Sequence, residues 1–329
     1  MKKLPKIYIT GGAGYVGAML SLYLAKKGYK VTVLDLFIYE QDIFKNQKNI
    51  NSIVGDIRDL SLLNKTLPGH DILIHLACIS NDPSFELNPK LGKSINLNSF
   101  EPLVVQAKKN NIKKFIYASS SSVYGISNEK NVHEGVELKP LTDYSKFKME
   151  CEKILLKYSS FDFCTTVIRP ATVCGYSVRQ RLDVVVNILT NLAYNKREIT
   201  VFGGMQLRPN IHIDDMVKSY ELMIQSEAKV INKKIYNVGY DNYPVLEIGK
   251  KVKKIIGDDV KLLSVPTNDN RSYHISSEKI KNELGFVPKK NIDDAIVDLK
   301  KAFKKGLLPD SLNSKKYFNI ETMKHIKLI

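Results

Sequence analysis

Apolar residues in the first half of the chain gather into short, mostly unbroken runs separated by stretches with helical spacing. Residues 6–10, 30–34, 50–54, 71–76, 113–118 and 163–168 read as strands, and runs of this length suit strands buried on both faces. Between the first two, residues 14–27 repeat Val16, Leu20 and Leu24 at helical intervals; further helices are expected at 59–66, 89–110, 143–159 and 182–195. Strands alternating with helices across short connections predict an α/β fold with a parallel sheet covered on both faces. Beyond Arg169 the alternation loosens and the loops gain Gly, Pro and Asn, as at Gly203-Gly204 and 240–244. The expected organisation is 1–170 carrying the sheet, 171–308 forming mainly a smaller mixed lobe with some segments returning to the first, and 309–329 as a docked tail.

Composition adds exclusions. The 329 residues are 43% hydrophobic and 26% charged, which is ordinary for a globular chain. No apolar run approaches the ~20 residues of a membrane span. Residues 1–8 pass from two lysines straight into a strand without a signal-peptide core, so a cytoplasmic protein is expected. The formal charge of +16 raises the question of nucleic acid, but the lysines sit in short helical runs such as 250–254 and 300–305. No zinc-finger pattern, aromatic RNA-binding motif or basic arm accompanies them, so they read as solvated faces. A phosphate-bearing small molecule is the anion such a charge would steer. Cys78, Cys151, Cys164 and Cys174 are widely spaced and form no C-x-x-C pair, against both a zinc site and a disulfide framework.

Directly after the first strand comes Gly11-Gly12-Ala13-Gly14-Tyr15-Val16-Gly17. Glycines at 11, 14 and 17 allow a tight turn and let backbone approach a pyrophosphate, and the following helix offers free N–H groups and its positive end. The second strand ends in Asp35, about 20 residues on, where an acid accepts bonds from ribose hydroxyls and repels a 2′-phosphate, favouring NAD over NADP. Asp56 follows another strand and can cap its helix or touch the adenine.

Tyr144 and Lys148 stand i, i+4 on an expected helix and share one face. A phenol of pKa near ~10 is a poor base at neutral pH. A nearby ammonium and a positive nicotinamide both favour phenolate; a drop of ~3 units corresponds to roughly 4 kcal/mol. Ser119-Ser120-Ser121-Ser122-Val123-Tyr124-Gly125 follows the strand at 113–118, at the sheet edge where ligands bind. A hydroxyl there can donate to the oxygen that Tyr144 deprotonates.

With these motifs, Gly55-Asp56-Ile57-Arg58-Asp59, His75-Leu76-Ala77, Arg169-Pro170 and Ile211-His212-Ile213-Asp214-Asp215, in this order over nearly the whole chain, the sequence resembles the extended short-chain dehydrogenase/reductases, in particular their nucleotide-sugar epimerases and dehydratases. The resemblance implies a Rossmann-type doubly wound parallel sheet with a smaller mixed C-terminal substrate lobe, and NAD as cofactor. It assigns the catalytic hydroxyl to Ser120, five residues before the glycine of Val123-Tyr124-Gly125. Tyr144 becomes the general base, and Lys148 also holds the nicotinamide ribose. The implied cofactor residues are Gly11, Gly14, Tyr15, Val16, Gly17, Asp35, Asp56, Ile57, Leu76, Ala77, Tyr144 and Lys148. On the substrate side it implies Ser121, Thr172, Asn187, Arg208 and Arg271, the two arginines as clamps on a diphosphate. His75 reads as support for cofactor packing, and His212 as part of a strand entering a helix capped by Asp214 or Asp215, neither as a metal ligand.

Departures narrow the reaction. Nucleotide-sugar 4,6-dehydratases carry Thr-Asp-Glu where this chain has Ser120-Ser121-Ser122, which disfavours loss of water. Many epimerases have an asparagine where Thr172 stands. The expected function is therefore an NAD-dependent 4-epimerase of a nucleoside-diphosphate sugar, acting through a transient C4 ketosugar. The run from Arg169 to Gly175 with Arg181-Leu182-Asp183 and Asn187 also resembles dehydrogenases of nucleotide-activated heptoses for surface polysaccharides. A C4 dehydrogenase or ketoreductase of a hexose or heptose is thus the alternative. A non-catalytic NAD sensor on the same fold would not need Ser120, Tyr144 and Lys148 together. The family commonly forms homodimers through a four-helix bundle; Leu97, Leu103, Val104, Ile154 and Leu155 can supply its face or belong to the core.

Overall fold

The computed structural model describes residues 4–127, 129, 131–267, 272 and 274–326. Its strands are β1 (Ile7–Thr10), β2 (Val31–Asp35), β3 (Ile50–Val54), β4 (Ile72–His75), β5 (Lys114–Ala118), β6 (Cys164–Pro170), β7 (Thr172–Cys174), β8 (Glu198–Phe202), β9 (Leu207–His212), β10 (Lys234–Val238), β11 (Asp241–Pro244) and β12 (Lys261–Val265). Seven of them form one parallel sheet in the order β10-β6-β5-β4-β1-β2-β3. The chain first builds outward from β1 through β2 to β3, then crosses back to β4 and continues the other way. The carboxyl edge between β1 and β4 is the switch point where a crevice opens.

Because successive strand residues face opposite ways, the sheet separates two cores. Ile7, Ile9, Val33, Ile72 and Ile74 pack on one side with Leu20, Leu24 and Tyr220; Tyr8, Leu34, Leu73, Phe115 and Tyr117 pack on the other with Leu63, Leu103 and Leu155. Every residue of β1 and β4 is buried, as expected of strands covered on both faces. Leu103, Val104 and Leu155 lie within the second core, with Leu97 and Ile154 packed against it. Leu97 and Ile154 keep part of their surface exposed. On the helix Asp143–Lys157, Asp143–Lys146 and Glu150–Lys153 are exposed ion pairs.

Segments within 171–308 join both the main sheet and a smaller lobe. β10 adds the seventh strand to the main sheet beside β6, and the helix Ile213–Gln225 packs on the helix Tyr15–Lys26. The smaller lobe holds the sheet β11-β9-β7 and the parallel pair β8 and β12. Helices Val185–Lys196, Val245–Ile256 and Ile292–Lys304 surround its own apolar cluster. The last segment docks: after a turn at Lys315–Tyr317, the short helix Asn319–His325 packs on Asp82–Glu86.

Three local expectations change. The helix expected over 89–110 is broken into Pro89–Lys93, a π-helical turn Ser94–Asn98 and Phe100–Lys109. At the widened turn Asn96 clamps Ile79, accepting from its N–H (2.8 Å) and donating to its carbonyl (2.9 Å). Asp59, not Asp56, caps the helix Leu60–Thr66, accepting from Leu62 N–H. His212 itself caps Ile213–Gln225: its Nδ1 accepts from Asp214 N–H (3.1 Å), which puts Asp214 and Asp215 in the first turn. Asp215 instead accepts from the N–H groups of Lys289 and Lys290 (both 2.7 Å).

Candidate active site

The glycine turn is built by close backbone approach. Gly11 has φ +74, and a Cβ there would stand 2.5 Å from Ala77 N. At Gly17 a Cβ would stand 2.2 Å from the Gly11 carbonyl oxygen, so turn and helix could not close. Gly14 is different. A Cβ on it meets only Gly11 O, at 3.3 Å, among the described atoms, and Gly14 borders a cavity. Packing presses on this position far less than on Gly11 or Gly17. Gly14 also begins the helix Tyr15–Lys26 without a side-chain cap, leaving the N-terminal dipole end open to an anion.

That cavity, about 220 Å³, lies at the switch point. Gly11, Gly14, Tyr15, Val16, Gly17, Asp35, Asp56, Ile57, Leu76 and Ala77 all line it. The cleft fits a dinucleotide through its glycine edge, its open helix end and the acid at the end of β2. Asp35 is held by two backbone donors, Ala13 N–H to Oδ2 and Phe37 N–H to Oδ1, each 2.9 Å. Burial raises its pKa above the usual carboxylate range, with these donors and Arg179 opposing. Asp56 is occupied by Arg58, whose Nη2 donates to it at 2.7 Å; burial pushes the carboxyl up, but Arg58 holds it below its ordinary range. The Tyr15 hydroxyl donates to Gly175 O (2.7 Å).

The helix carrying Tyr144 starts at a capping box. Thr142 Oγ1 accepts from Ser145 N–H, and Ser145 Oγ accepts from Thr142 N–H. Thr142 also donates to Asp82. Tyr144 therefore stands in the first turn, at the positive end of the helix. Its phenol lies close enough to Ser120 for that hydroxyl to favour the phenolate, and Ser120 starts the 3₁₀ turn Ser121–Tyr124 after β5. Ser120 Oγ accepts from Ser122 Oγ (2.8 Å) and Ser122 N–H (3.1 Å), which aims it at the sheet edge. Lys148, 5% exposed, donates to Ala118 O (2.7 Å), with its ammonium 5.8 Å from the Tyr144 ring centre.

The phenol is governed by burial. Burial pushes Tyr144 well above its ordinary pKa, and Cys78 and Asp82 add to the rise. Arg181 and Ser120 pull it down, while the Lys148 ammonium donates to the Ala118 carbonyl.

The substrate-side residues are scattered in role. Thr172 in β7 and Arg208 in β9 lie on the small sheet, where Thr172 pairs with Asn210 and Arg208 with Tyr243. Arg208 Nη1 donates to Leu207 O (3.0 Å). Ser121 is 2% exposed. Asn187 is fully buried, accepts from Gly175 N–H (3.0 Å) and donates to Arg181 O (2.8 Å) and Tyr15 Oη (3.0 Å). Arg271 lies outside the described residues. His212, Asp214 and Asp298 converge, but the Lys290 ammonium sits among them, donating to Asp214 (2.7 Å) and Asp298 (3.1 Å). His75 is 3% exposed, shares a hydrogen bond with Thr10 Oγ1 (2.7 Å) and stacks on Tyr117.

Two groups escape the sequence reading. One is a buried ion pair, Arg169 with Glu152, which also accepts from Ser119. The other is Arg179, Arg181, Asn319 and Ser80 on the cavity wall, with Asp183 paired to Arg181. Arg181 Nη1 and Asn319 Nδ2 both donate to Ser80 Oγ (3.2 and 2.9 Å). Arg169, Arg181 and Asp183 stand in motifs quoted above, but their partners Glu152, Ser80 and Asn319 lie elsewhere in the chain, which local spacing does not announce.

A doubly wound sheet with a glycine-edged cleft and a Tyr–Lys–Ser cluster at its carboxyl edge defines a dinucleotide-dependent enzyme. The chain belongs to the NAD dependent epimerase/dehydratase family, whose model matches it from residue 7 to residue 239. It is 28% identical over 313 residues to a UDP-glucose 4-epimerase of Lactobacillus helveticus, spanning 88% of this chain and 94% of that one. To a dTDP-D-glucose 4,6-dehydratase of Dictyostelium discoideum it is 30% identical over 281 residues, spanning 77% and 62%. Among solved structures, a UDP-glucuronic acid 4-epimerase from Bacillus cereus, in complex with UDP-glucuronic acid and NAD, superposes with a TM-score of 0.83 at 25% identity over 91% of this chain and 99% of that one.

Proposed function

We propose that this NAD-dependent enzyme is a 4-epimerase of a nucleoside-diphosphate sugar. The observation carrying the reading is the Tyr144 phenol against the Ser120 hydroxyl beside the dinucleotide cleft, in a turn whose next residues, Ser121 and Ser122, bear no carboxylate. A dehydratase needs acid chemistry there; an epimerase needs only a proton acceptor and an oriented oxygen. Similarity to sugar-nucleotide 4-epimerases supports the same choice.

Bound NAD supplies a reversible hydride acceptor for the sugar's C4. Tyr144 takes the C4 hydroxyl proton, while Ser120 donates to the same oxygen and fixes its angle to the phenol. Lys148 turns from Ala118 O to the nicotinamide ribose. Ser121 and Thr172 face the sugar, and Arg208 with Arg271 holds the diphosphate. In this assignment residues 1–170, with β10 and helix Ile213–Gln225, hold the cofactor, 171–308 hold the sugar nucleotide, and 309–329 form a tail. The proposed setting is the cytoplasm; no helix among the described residues is long and apolar enough to cross a membrane. The proposed assembly is a homodimer, and a monomer in light scattering at micromolar concentration would remove it.

The deciding experiment incubates the purified chain with UDP-, GDP-, dTDP- and CDP-sugars while nicotinamide absorbance is followed. Epimerised sugar without net NADH is the expected result. Stable NADH that needs a second acceptor would instead make it a C4 dehydrogenase of a hexose or heptose.

A further inference from the structure

The loop from Gly175 into the helix Val185–Lys196 leaves the small sheet and crosses to the cofactor cleft. It is pinned to the first turn of the dinucleotide helix: Tyr15 Oη donates to Gly175 O (2.7 Å), and Ser177 Oγ donates to Tyr15 O (2.9 Å). Two residues further, Arg179 enters the cavity wall with only 3% of its surface exposed. Its guanidinium lies over the Tyr39 ring, 3.5 Å from the centroid. Nη2 donates to Asn319 Oδ1 (2.7 Å), while the buried Nε has no hydrogen-bond partner.

The surrounding acids are already engaged. Asp35 spends both oxygens on Ala13 and Phe37 N–H groups. Asp183 pairs with Arg181 and accepts from Asn319 N–H (2.8 Å). Among the described residues Arg179 takes part in no ion pair. Burial accordingly pulls the guanidinium down to about 10, against the opposing pull of Tyr39, Asp183 and Asp35. A buried cation with a free donor and no counter-ion costs stability unless an anion arrives. The planar fork of arginine suits phosphate oxygens.

We infer that Arg179 is a ligand of the cofactor's diphosphate, delivered from the second lobe across the glycine turn and steadied by Asn319 of the C-terminal segment. The glycine turn offers backbone N–H groups and a dipole from below; Arg179 adds a full charge from above. The assignment holds whichever sugar is turned over.

Calorimetric titration of the full chain, stripped of nucleotide, with NAD, NADP, ADP-ribose, adenosine and UDP tests it. Arg179→Gln is expected to weaken NAD and ADP-ribose alike by about 10- to 100-fold, the worth of one or two charge-assisted hydrogen bonds, with adenosine and UDP unchanged. Arg179→Lys should restore only part of the loss, because the ammonium lacks the fork. Unchanged NAD affinity would overturn the inference. So would an equal loss for adenosine, which marks a structural role; a loss confined to UDP, which marks the substrate's diphosphate; or wild-type preference for NADP abolished in the variant, which marks a 2′-phosphate site. If Arg179→Gln does not fold, Asn319→Ala decides. It releases Nη2 while keeping the charge and should weaken NAD by about 3- to 10-fold without affecting adenosine; an unchanged NAD affinity in it would overturn the inference.

Discussion

Glu152 stands two helical turns beyond Tyr144 on the same face and closes on Arg169 of β6, its carboxylate accepting from Nη2 (2.6 Å) and Nε (3.0 Å). Arg169 Nη1 continues to Tyr124 Oη (2.8 Å), which donates to Asn237 of β10 (2.7 Å). Tyr144, Lys148 and Glu152 thus form one stripe at i, i+4 and i+8: the first two work at the sheet edge, and the third fastens their helix to two strands. Removing one charge strands the other where water cannot reach it. Glu152→Gln should cost about 3–5 kcal/mol in urea unfolding. Glu152→Leu with Arg169→Met should recover much of that, since neither charge is then buried; a double variant no more stable than the single one would contradict this account.

Tyr144→Phe keeps the ring in its packing and removes the proton acceptor. Turnover of the accepted sugar nucleotide should fall about 100- to 10,000-fold, with NAD binding nearly unchanged. Ser120→Ala should produce a smaller loss. Wild-type rates in the phenylalanine variant would remove Tyr144 from the chemistry.

The parts of this molecule legible in the sequence are those where one short segment carries the whole physical requirement. β1 and β4 announced themselves as apolar runs because strands buried on both faces have no polar side to show. Gly11 and Gly17 were legible because backbone contacts at 2.5 and 2.2 Å leave no room for a Cβ. β10 was not: its sequence, Lys-Ile-Tyr-Asn-Val, is ordinary, and its partners on β6 lie 68 residues earlier, as Lys234 to Thr166. Arg179 meets Asn319 across 140 residues, and Asn187 reaches Tyr15 across 172. Such contacts depend on tertiary placement, which spacing along the chain does not encode.

Gly14 and Gly17 should separate ligand demand from packing demand. Gly17→Ala forces a Cβ against backbone of Gly11 and Gly12, where nothing flexible can give, so stability should fall by about 1–3 kcal/mol or more. Gly14→Ala meets only Gly11 O at 3.3 Å and should stay within about 1 kcal/mol of wild type. Its NAD affinity should nevertheless drop by roughly tenfold, because the methyl enters the cleft where backbone must approach the phosphates. Equal thermal stability losses in the two variants would remove this distinction.

His75 should make the protein acid-sensitive through folding alone. Burial, helped by the nearby Lys148 charge, lowers its pKa to about 3. In the unfolded chain it takes up a proton near the ordinary ~6.5. Between these values the unfolded state binds a proton that the native state refuses, so stability declines as pH falls, by about 1.4 kcal/mol per unit and on the order of 5 kcal/mol across the window. Asp35 acts in the opposite direction, since burial raises its pKa and acid relieves the cost of its charge. The informative quantity is therefore the difference between wild type and His75→Asn in denaturant unfolding at a series of pH values. That substitution leaves an amide to bond Thr10 and removes the titration. Wild type should lose its advantage steadily from about pH 6.5 downward. A difference that stays constant with pH would show that the native imidazole takes up its proton as readily as the unfolded one.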